Sequence, residues 1–156
     1  MKSIKQNEYW MEHALKEAET ALRRDEVPVG AVIVFDGQII GRGSNQVEML
    51  KDPTAHAEMI ALTAAASFLG SKHLRKCSVY VTVEPCAMCA GAIVLARIPL
   101  LVFGAYDPKA GACSSLYNIT NDPRLNHRGH TVGGVLEEKC GNLLKDFFKL
   151  KRKAKG

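Results

Sequence analysis

Two short motifs constrain this chain more than any other part of its sequence. The first is His56-Ala57-Glu58, and the second is Pro85-Cys86-Ala87-Met88-Cys89. One imidazole and two thiolates form a ligand set that suits Zn²⁺. Three protein ligands leave one tetrahedral position for water, which distinguishes catalytic zinc sites from closed structural ones. Glu58 lies two residues from His56, where a carboxylate is placed to move protons to and from that water.

Each part of this pattern has a commoner explanation when it occurs by itself. A single histidine near a helix start is usually a polar surface residue, and a single Cys-x-x-Cys is often a structural half-site or a redox pair. A single glutamate on a helix is usually solvated. The parts occur here together and in this order, with Pro85 directly before Cys86. The combination favours one catalytic zinc ion per chain, held by His56, Cys86 and Cys89, with Glu58 as the catalytic residue.

Length and cysteine content bound the class of protein. A chain of 156 residues is expected to form a single domain, here 1–156, and to bury its own core without disulfides. No apolar run is long enough to cross a bilayer, and the N-terminal residues lack the apolar segment of a secretion signal. Five cysteines form an odd set, which favours a reducing compartment. We therefore expect a cytoplasmic protein without a membrane partner.

The positive charge is concentrated at the C-terminus. The formal net charge is +5, and residues 145–156 carry all of this excess. Such a segment is often a solvated tail that aids solubility, and its alternative role is electrostatic contact with nucleic acid. The basic C-terminal helix or tail is expected over about 136–156, and its candidate RNA contacts are Lys151, Arg152 and Lys153.

Hydrophobic periodicity predicts helices that alternate with strands. Helices are expected over 7–24, from 52–54 to 69, from 85 onward and from 136 towards the C-terminus. Strands are expected over 29–35, from 39–40, over 78–83, over 100–103 and over 131–135. Asp36-Gly37 indicates a tight hairpin, Asp52 or Thr54 is the expected cap of the second helix, and 105–130 is expected to be a long polar loop with short helical turns.

This alternation predicts an α/β layered sheet. His56 and Cys86 then both lie near helix N-termini, where the partial positive charge favours a thiolate and stabilises an oxyanion. The expected fold therefore supplies a physical reason for building the site from helix starts.

Beyond the two motifs, the chain resembles the cytidine/adenosine deaminase superfamily over nearly its whole length, and within it the tRNA-specific adenosine deaminases. The segments that carry this resemblance are 27–32, Asn45, 52–58, 84–92, 102–105, 107–111, 126–128 and 146–148. The metal motif is shared across the superfamily. The segments 107–111, 126–128 and 146–148, with the basic residues that follow them, point to the tRNA branch.

The resemblance implies a three-layer α/β/α fold with a central mixed five-stranded sheet. It implies zinc-dependent deamination of adenosine to inosine at the wobble position of a tRNA anticodon loop, by a homodimer. It assigns zinc to His56, Cys86 and Cys89 and proton transfer to Glu58. Further residues resemble those that contact the base or the RNA loop: Asn45, Pro28, Val29, Asp107, Lys109, Asn126, His127 and Arg128. Ser114 departs from the family, which often has glycine there, so a side chain is added beside the pocket.

Two other functions fit parts of the same pattern. A free guanine or cytosine deaminase of the same superfamily would need the zinc ligands and Glu58 but no basic tail. A zinc-stabilised RNA-binding module without catalysis would need a fourth protein ligand, for which Cys77 and Cys113 are the candidates, and would leave Glu58 without a role. In the deaminase interpretation Cys77 and Cys140 are small buried apolar residues, and Phe147 and Phe148 belong to the core rather than to a stacking surface.

Overall fold

The computed structural model describes residues 3–155, in which helices and strands alternate as the sequence predicts. The helices are α1 (Ile4–Arg23), α2 (Val47–Leu50), α3 (Ala57–Leu69), α4 (Ala87–Leu95) and α5 (Glu137–Lys155), with one 3-10 turn at Ile119–Asn121. The strands are β1 (Gly30–Phe35), β2 (Gln38–Ser44), β3 (Cys77–Val83), β4 (Leu100–Ala105) and β5 (His130–Val132).

These strands form one mixed five-stranded sheet in the order β2-β1-β3-β4-β5. The strand β1 pairs antiparallel with β2 and β3, whereas β3, β4 and β5 run parallel. All seven residues of the central strand β3 are buried, which requires cover on both faces of the sheet. The prediction of a mixed five-stranded sheet is confirmed.

Alternating side chains of the strands build two cores, one on each face of the sheet. Ile33 and Val81 point into a core that contains residues of α3 and α4, whereas Val32 and Tyr80 point into a core that contains residues of α1 and Cys140 of α5. This alternation follows the two-residue period of a strand. The result is the predicted three-layer α/β/α arrangement, with α3 and α4 side by side on one face.

Helix α3 lies unusually close to β2 because both elements present small residues to each other. A Cβ atom added at Gly43 would overlap the backbone of Ala57, and one added at Gly41 would overlap the carbonyl oxygen of Ala61. Ala57, Ala61 and Ala65 are completely buried along the facing side of the helix. Backbone therefore packs against backbone, and the position of α3 on the sheet is fixed without large side chains.

Several element boundaries differ from the expectation, and local hydrogen bonds explain the differences. Helix α1 starts earlier, because Ser3 and Gln6 form a reciprocal capping box. Helix α3 starts later, because the Asp52 carboxylate accepts from the N–H and hydroxyl of Thr54 in a turn outside the helix, and His56 takes the cap position. The short helix α2 was not expected from the sequence.

The C-terminal elements also differ in extent. Strand β5 is shorter than expected, because its regular pairing ends at Val132 and the chain turns at Gly134, whose φ is +83°, although the N–H groups of Gly134 and Val135 still donate to carbonyls of β4. Helix α5 begins one residue later than expected and stays helical to Lys155, so the basic segment up to that residue is not a fraying tail. Within the described residues, no helix combines the length and apolarity that crossing a membrane would require.

Candidate active site

The two motifs meet where α3 and α4 begin. His56 is the N-cap residue of α3 and Cys86 is the N-cap residue of α4, and neither side chain caps its own helix. Cys89 lies one turn into α4, on the side of the helix that faces Cys86. Both helices point their positive ends at the same place, which favours anionic ligands there.

The ligand atoms are spaced as a tetrahedral metal ion requires. Nδ1 of His56 lies 3.6 Å from Sγ of Cys86 and 3.5 Å from Sγ of Cys89. Around zinc, with Zn–N near 2.0–2.1 Å and Zn–S near 2.3 Å, tetrahedral geometry separates such atoms by about 3.6 Å. The donor set of one imidazole and two sulfurs is also soft enough to favour zinc over magnesium or calcium. The predicted ligands are therefore brought together as a site that can hold a metal ion.

The two thiols of this cluster differ in their protonation. A hydrogen bond from the Cys89 thiol lowers the pKa of Cys86 to about 5. The same hydrogen bond, together with burial, raises the pKa of Cys89. Cys86 is thus ready to act as a thiolate at neutral pH, which is the form that binds a metal.

Glu58 lies in the first turn of α3 and is 4% exposed. Burial raises the pKa of its carboxyl to about 7, against the opposing effect of a hydrogen bond from its own backbone N–H. A carboxyl with a pKa near 7 can both accept and donate a proton at neutral pH, which suits a general acid–base residue. The expectation that an isolated helix glutamate is solvated is wrong for this residue.

A cavity of about 330 Å³ opens beside the cluster, a size that suits a small molecule. His56, Glu58 and Cys86 line it on one side. The remaining lining residues are Glu26, Val27, Val29, Asn45, Val47, Glu48, Ala57, Val83, Glu84, Asp107 and Ala110. The reactive groups therefore face a largely apolar cavity rather than open surface.

The predicted base-contacting residues occupy one wall of this cavity. Asn45 and Val29 line it, whereas Pro28 is buried behind the lining and Val27 contributes in its place. The side-chain amide of Asn45 donates to the carbonyl of Val27, and its oxygen accepts the N–H of Val47. Asn45 thus makes the turn that its sequence position indicates and also faces the cavity.

The cavity lining contains one of the two residues, Asp107 and Lys109, that were expected to contact the RNA. Asp107 lines the cavity, and its carboxylate accepts the N–H groups of Lys109 and Ala110 in a local turn. Lys109 is exposed and lies outside the lining. Asp107 therefore lies at the candidate site, whereas Lys109 lies outside the cavity lining.

The structure does not bring Asn126, His127 and Arg128 to the cavity. The ring Nε2–H of His127 donates to the carbonyl of Ile98 over 2.8 Å, just before β4 begins. The ligand cysteines follow the other, C-terminal end of the parallel strands β3 and β4. A six-residue strand such as β4 is roughly 16 Å long from its first Cα to its last. These three residues therefore lie at the far end of the sheet from the ligand cluster of their own chain.

The three cations proposed for the tail have different environments. Nζ of Lys151 forms an ion pair with Asp25 over 2.7 Å and lies 5.5 Å from the centre of the Phe147 ring. Arg152 and Lys153 are exposed and take part in no ion pair within residues 3–155. Lys151 therefore fastens α5 to the turn after α1, and its two neighbours project into solvent.

The other cysteines do not complete the metal cluster. Cys77 begins β3, at the opposite end of that strand from the ligands, and Cys140 is buried in α5. The thiol of Cys113 faces the carbonyl of Pro85 over 3.9 Å. Over residues 3–155, the cluster that can hold a metal comprises His56, Cys86 and Cys89. The fourth protein ligand required by a purely structural zinc module is not found in that part of the chain.

Two buried carboxylates at the cavity were missed by the sequence analysis. Glu26 is 1% exposed and accepts the N–H groups of Glu48 and Met49, at the start of α2. Glu84 is 3% exposed and lies between β3 and Pro85. Burial by itself raises the pKa of the Glu84 carboxyl, but hydrogen bonds from Ser115 and from backbone N–H groups hold that pKa below its usual range. The available signal was an acidic residue at the end of an apolar strand.

Comparisons with known proteins relate this chain to deaminases. The family of MafB19-like deaminases matches residues 5–152. A tRNA-specific adenosine deaminase of Bacillus subtilis is 47% identical over 150 residues, which cover 96% of this chain and 93% of that protein. A structure solved in a study of A-to-I editing by tRNA:A34 deaminases at the wobble position is 44% identical, with a TM-score of 0.83, over 87% of this chain and 99% of its own. A guanine deaminase from Bacillus subtilis is 40% identical, with a TM-score of 0.61, over 64% of each chain.

Proposed function

Because the chain belongs to the family of the tRNA-specific adenosine deaminases, we propose that it converts adenosine to inosine at the wobble position of a tRNA anticodon loop. The reaction consumes one water molecule and releases ammonia. The relatives that carry this name match the chain over nearly its full length, so the proposal rests on almost all of its residues.

One observation in the structure supports this function above the others. His56, Cys86 and Cys89 converge at two helix starts, and the buried Glu58 faces the same cavity. A structural metal site needs no acid–base group beside it and no cavity that opens onto it. Metal ligands, a carboxyl with a pKa near 7 and a small-molecule cavity together suit hydrolytic deamination of a base.

The three ligands are proposed to hold one zinc ion per chain. The spacing of their donor atoms and the thiolate character of Cys86 fit that ion. Zinc bound there would lower the pKa of water to about 7 and so supply a nucleophile at neutral pH. The helix starts at His56 and Cys86 stabilise the negative charge that this chemistry creates.

Glu58 is proposed to carry the protons of the reaction. It accepts a proton from the attacking water and donates it to the ring nitrogen adjacent to C6 as the oxygen adds to C6. It then takes the proton of the new C6 hydroxyl and delivers it to the amino group, so that the C6–N bond breaks, a C6 carbonyl forms and ammonia leaves. A pKa near 7 allows both directions of transfer at similar cost.

The cavity is proposed to receive a single base that has left its stack. Its volume of about 330 Å³ and its apolar lining fit one purine rather than a base pair. Asn45 is the polar group of the lining that we propose to contact the base edge, with Val29 against the ring. Extrusion costs least where the base is already unpaired, as in an anticodon loop.

Incubation of the purified, zinc-loaded protein with total tRNA tests this proposal. We expect inosine at the wobble position of tRNAs that carry adenosine there, detected by nucleoside mass spectrometry and by A-to-G reads in complementary DNA. Free adenosine, guanine and cytosine should release no ammonia under the same conditions. Absence of inosine with zinc present would refute the tRNA substrate.

A free guanine deaminase is the second candidate, because a solved guanine deaminase shares 40% identity over 64% of this chain. The comparison favours it less, since the tRNA:A34 deaminase structure matches 87% of the chain with the higher TM-score. Ammonia release from free guanine without any change in tRNA would support this candidate over the first.

We also propose that the protein acts as a homodimer in the cytoplasm. Phe68 and Leu95, at the ends of the neighbouring helices α3 and α4, are 61% and 72% exposed, and such apolar surface favours association with a second copy. All five cysteines are free thiols, which fits a reducing compartment. Light scattering coupled to size exclusion, which measures the mass in solution, tests the dimer.

The exposed cations of α5 are expected to contact RNA phosphates. Changing Arg152 and Lys153 together to alanine should leave folding and metal content intact, because both side chains are exposed and unpaired in the described part of the chain. Each lost contact with single-stranded RNA should reduce the log–log salt slope of binding by about 0.7, or roughly 1.4 for two. Turnover at saturating RNA should barely change, because these charges bind substrate and transition state alike.

Two further variants separate the position of these charges from their number. Lys72 and Lys76, which are exposed near the start of β3, provide a matched double-alanine control far from the cavity. Lys151→Ala should affect thermal stability more than the salt slope, because that ammonium is paired with Asp25. Equal losses of affinity in the control and in the α5 variant would show that net charge, rather than the α5 surface, governs binding.

A further inference from the structure

Glu84 gathers more hydrogen bonds than any other carboxylate in the described part of the chain. Its Oε1 accepts the N–H of Asp107 at 3.0 Å, and its Oε2 accepts the N–H groups of Cys113, Ser114 and Ser115 at 3.2, 2.9 and 2.8 Å. The hydroxyl of Ser115 donates to Oε1 as well. Every one of these donors belongs to the segment 107–115, which follows β4.

This arrangement is costly to build unless the donors are held in place. Burying an ionised carboxylate without partners is strongly unfavourable, whereas several N–H donors aimed at it offset the desolvation. The segment 107–115 is therefore held against Glu84 by four backbone N–H groups that converge on a single carboxylate. A substitution at Glu84 is therefore expected to alter the position of the segment 107–115 directly.

The backbone of the segment 107–115 packs closely against Glu84. A Cβ atom added at Gly111 would overlap the Glu84 carboxylate itself, so only glycine fits there. The N–H of Ala112 donates to the carbonyl of Pro85 over 2.8 Å, which adds a second tie between the same two pieces of chain. The segment 107–115 therefore packs against Glu84 and Pro85, the two residues that precede Cys86.

The segment also forms a wall of the cavity. Asp107, Ala110 and Glu84 all belong to the cavity lining. Glu84 is separated from the ligand Cys86 by Pro85 alone. The Glu84 carboxylate therefore connects the start of α4, at Cys86, to the segment 107–115 that forms part of the cavity wall.

We propose that Glu84 is a positioning residue for RNA binding, which holds the 107–115 wall in register with the reactive groups through its backbone hydrogen bonds. This inference rests on the proposed function, since it assigns the wall to contacts with the RNA loop around the target base. Glu84 acts through Asp107 and Ala110, and it moves no proton in the reaction. Its contribution belongs to KM rather than to kcat.

Glu84→Gln tests the proposal. The variant has nearly the same volume, but it replaces one acceptor oxygen by an NH₂ group that faces N–H donors. We expect KM for tRNA to rise about ten-fold or more, because charge-assisted hydrogen bonds to the wall are lost. The kcat at saturating tRNA should stay within about three-fold, and zinc content should remain about one per chain.

Two adjacent serines give a matched pair that leaves Glu84 itself unchanged. Ser115→Ala removes the hydroxyl that donates to the carboxylate, whereas Ser114→Ala keeps the N–H that donates to it and removes a hydroxyl that the carboxylate does not use. We expect a smaller rise in KM for Ser115→Ala, of about two- to five-fold, and a rise for Ser114→Ala that is smaller than that of Ser115→Ala. If Glu84→Gln cannot be isolated as a folded protein, this pair decides the question.

The measurements separate failure of this inference from failure of the proposed function. An inactive wild-type protein on tRNA would refute the proposed function. An active wild type, with unchanged KM in Glu84→Gln and in Ser115→Ala, would overturn the role of Glu84. A lowered thermal unfolding temperature with unchanged KM would show that the carboxylate only stabilises the fold. A fall in kcat with KM unchanged would place Glu84 in the chemical step and would also overturn the inference.

Discussion

Glu58→Gln is expected to give a folded, zinc-loaded protein that binds tRNA normally and deaminates it about 10²–10⁴-fold more slowly. Glutamine keeps the size of the side chain but cannot accept the proton from water. Glu58 is 4% exposed, and its neighbours in the first turn of α3, Ala57, Met59 and Ile60, carry no group that can transfer a proton in its place. Single-turnover measurements of inosine formation at saturating tRNA give the rate.

Measuring the tRNA affinity of Glu58→Gln distinguishes a loss of proton transfer from damage to the cavity. A variant with low turnover and weakened tRNA affinity would point to a disturbed cavity rather than to a lost proton carrier. Turnover close to that of the wild type would show that another group moves the proton, and would remove Glu58 from the mechanism.

Cys86→Ala is expected to lose bound zinc, most of its activity and part of its thermal stability. The site joins the starts of two separate helices, so removing one ligand lets α3 and α4 lose their common tie. Metal analysis should find well under one zinc per chain, compared with about one in the wild type. Thermal unfolding with and without added zinc should show that the wild type is stabilised by the metal and the variant is not.

Cys77→Ala is the matched control for this experiment. It removes a buried thiol of the same size from the other end of β3, away from the cluster. The control should keep its zinc and activity and lose only the stability that a small core cavity costs, about 1 kcal/mol. Full zinc and full activity in Cys86→Ala would show that the ligand set is wrong.

The sheet could be predicted from sequence because its strands carry a local signal. The β-branched run at 29–35, the Asp36-Gly37 turn and the apolar run at 78–83 each identify a strand without knowledge of the rest of the chain. The start of α3 carried a misleading signal, because Asp52 and Thr54 form a capping-type hydrogen bond within a turn and not at the helix. Whether Asp52, Thr54 or His56 caps α3 depends on how the helix packs in the fold, and the local sequence alone does not determine that packing.

The residues of the candidate site also differ in whether the sequence alone could predict them. The candidate metal ligands and Glu58 could be proposed from the sequence because their spacing within each motif is local and their residue types are uncommon together. The roles of Glu26 and Glu84 could not be predicted, because their partners lie 22 or more positions away and, apart from the Ser115 hydroxyl, are backbone groups, which leave no trace in side-chain identity. The position of 126–128 depends on the parallel pairing of β5 with β4, which places the start of β5 at the far end of the sheet.

The contact of Gly41 and Gly43 with α3 has a consequence for how the enzyme tolerates mutation. Any larger residue at Gly43 must push away the backbone of Ala57, which lies between His56 and Glu58. A shift of about 1 Å in a reacting group is enough to slow an enzyme about 10²-fold. Gly43 does not line the cavity, yet larger residues at this position are expected to slow the reaction because they would displace His56 and Glu58.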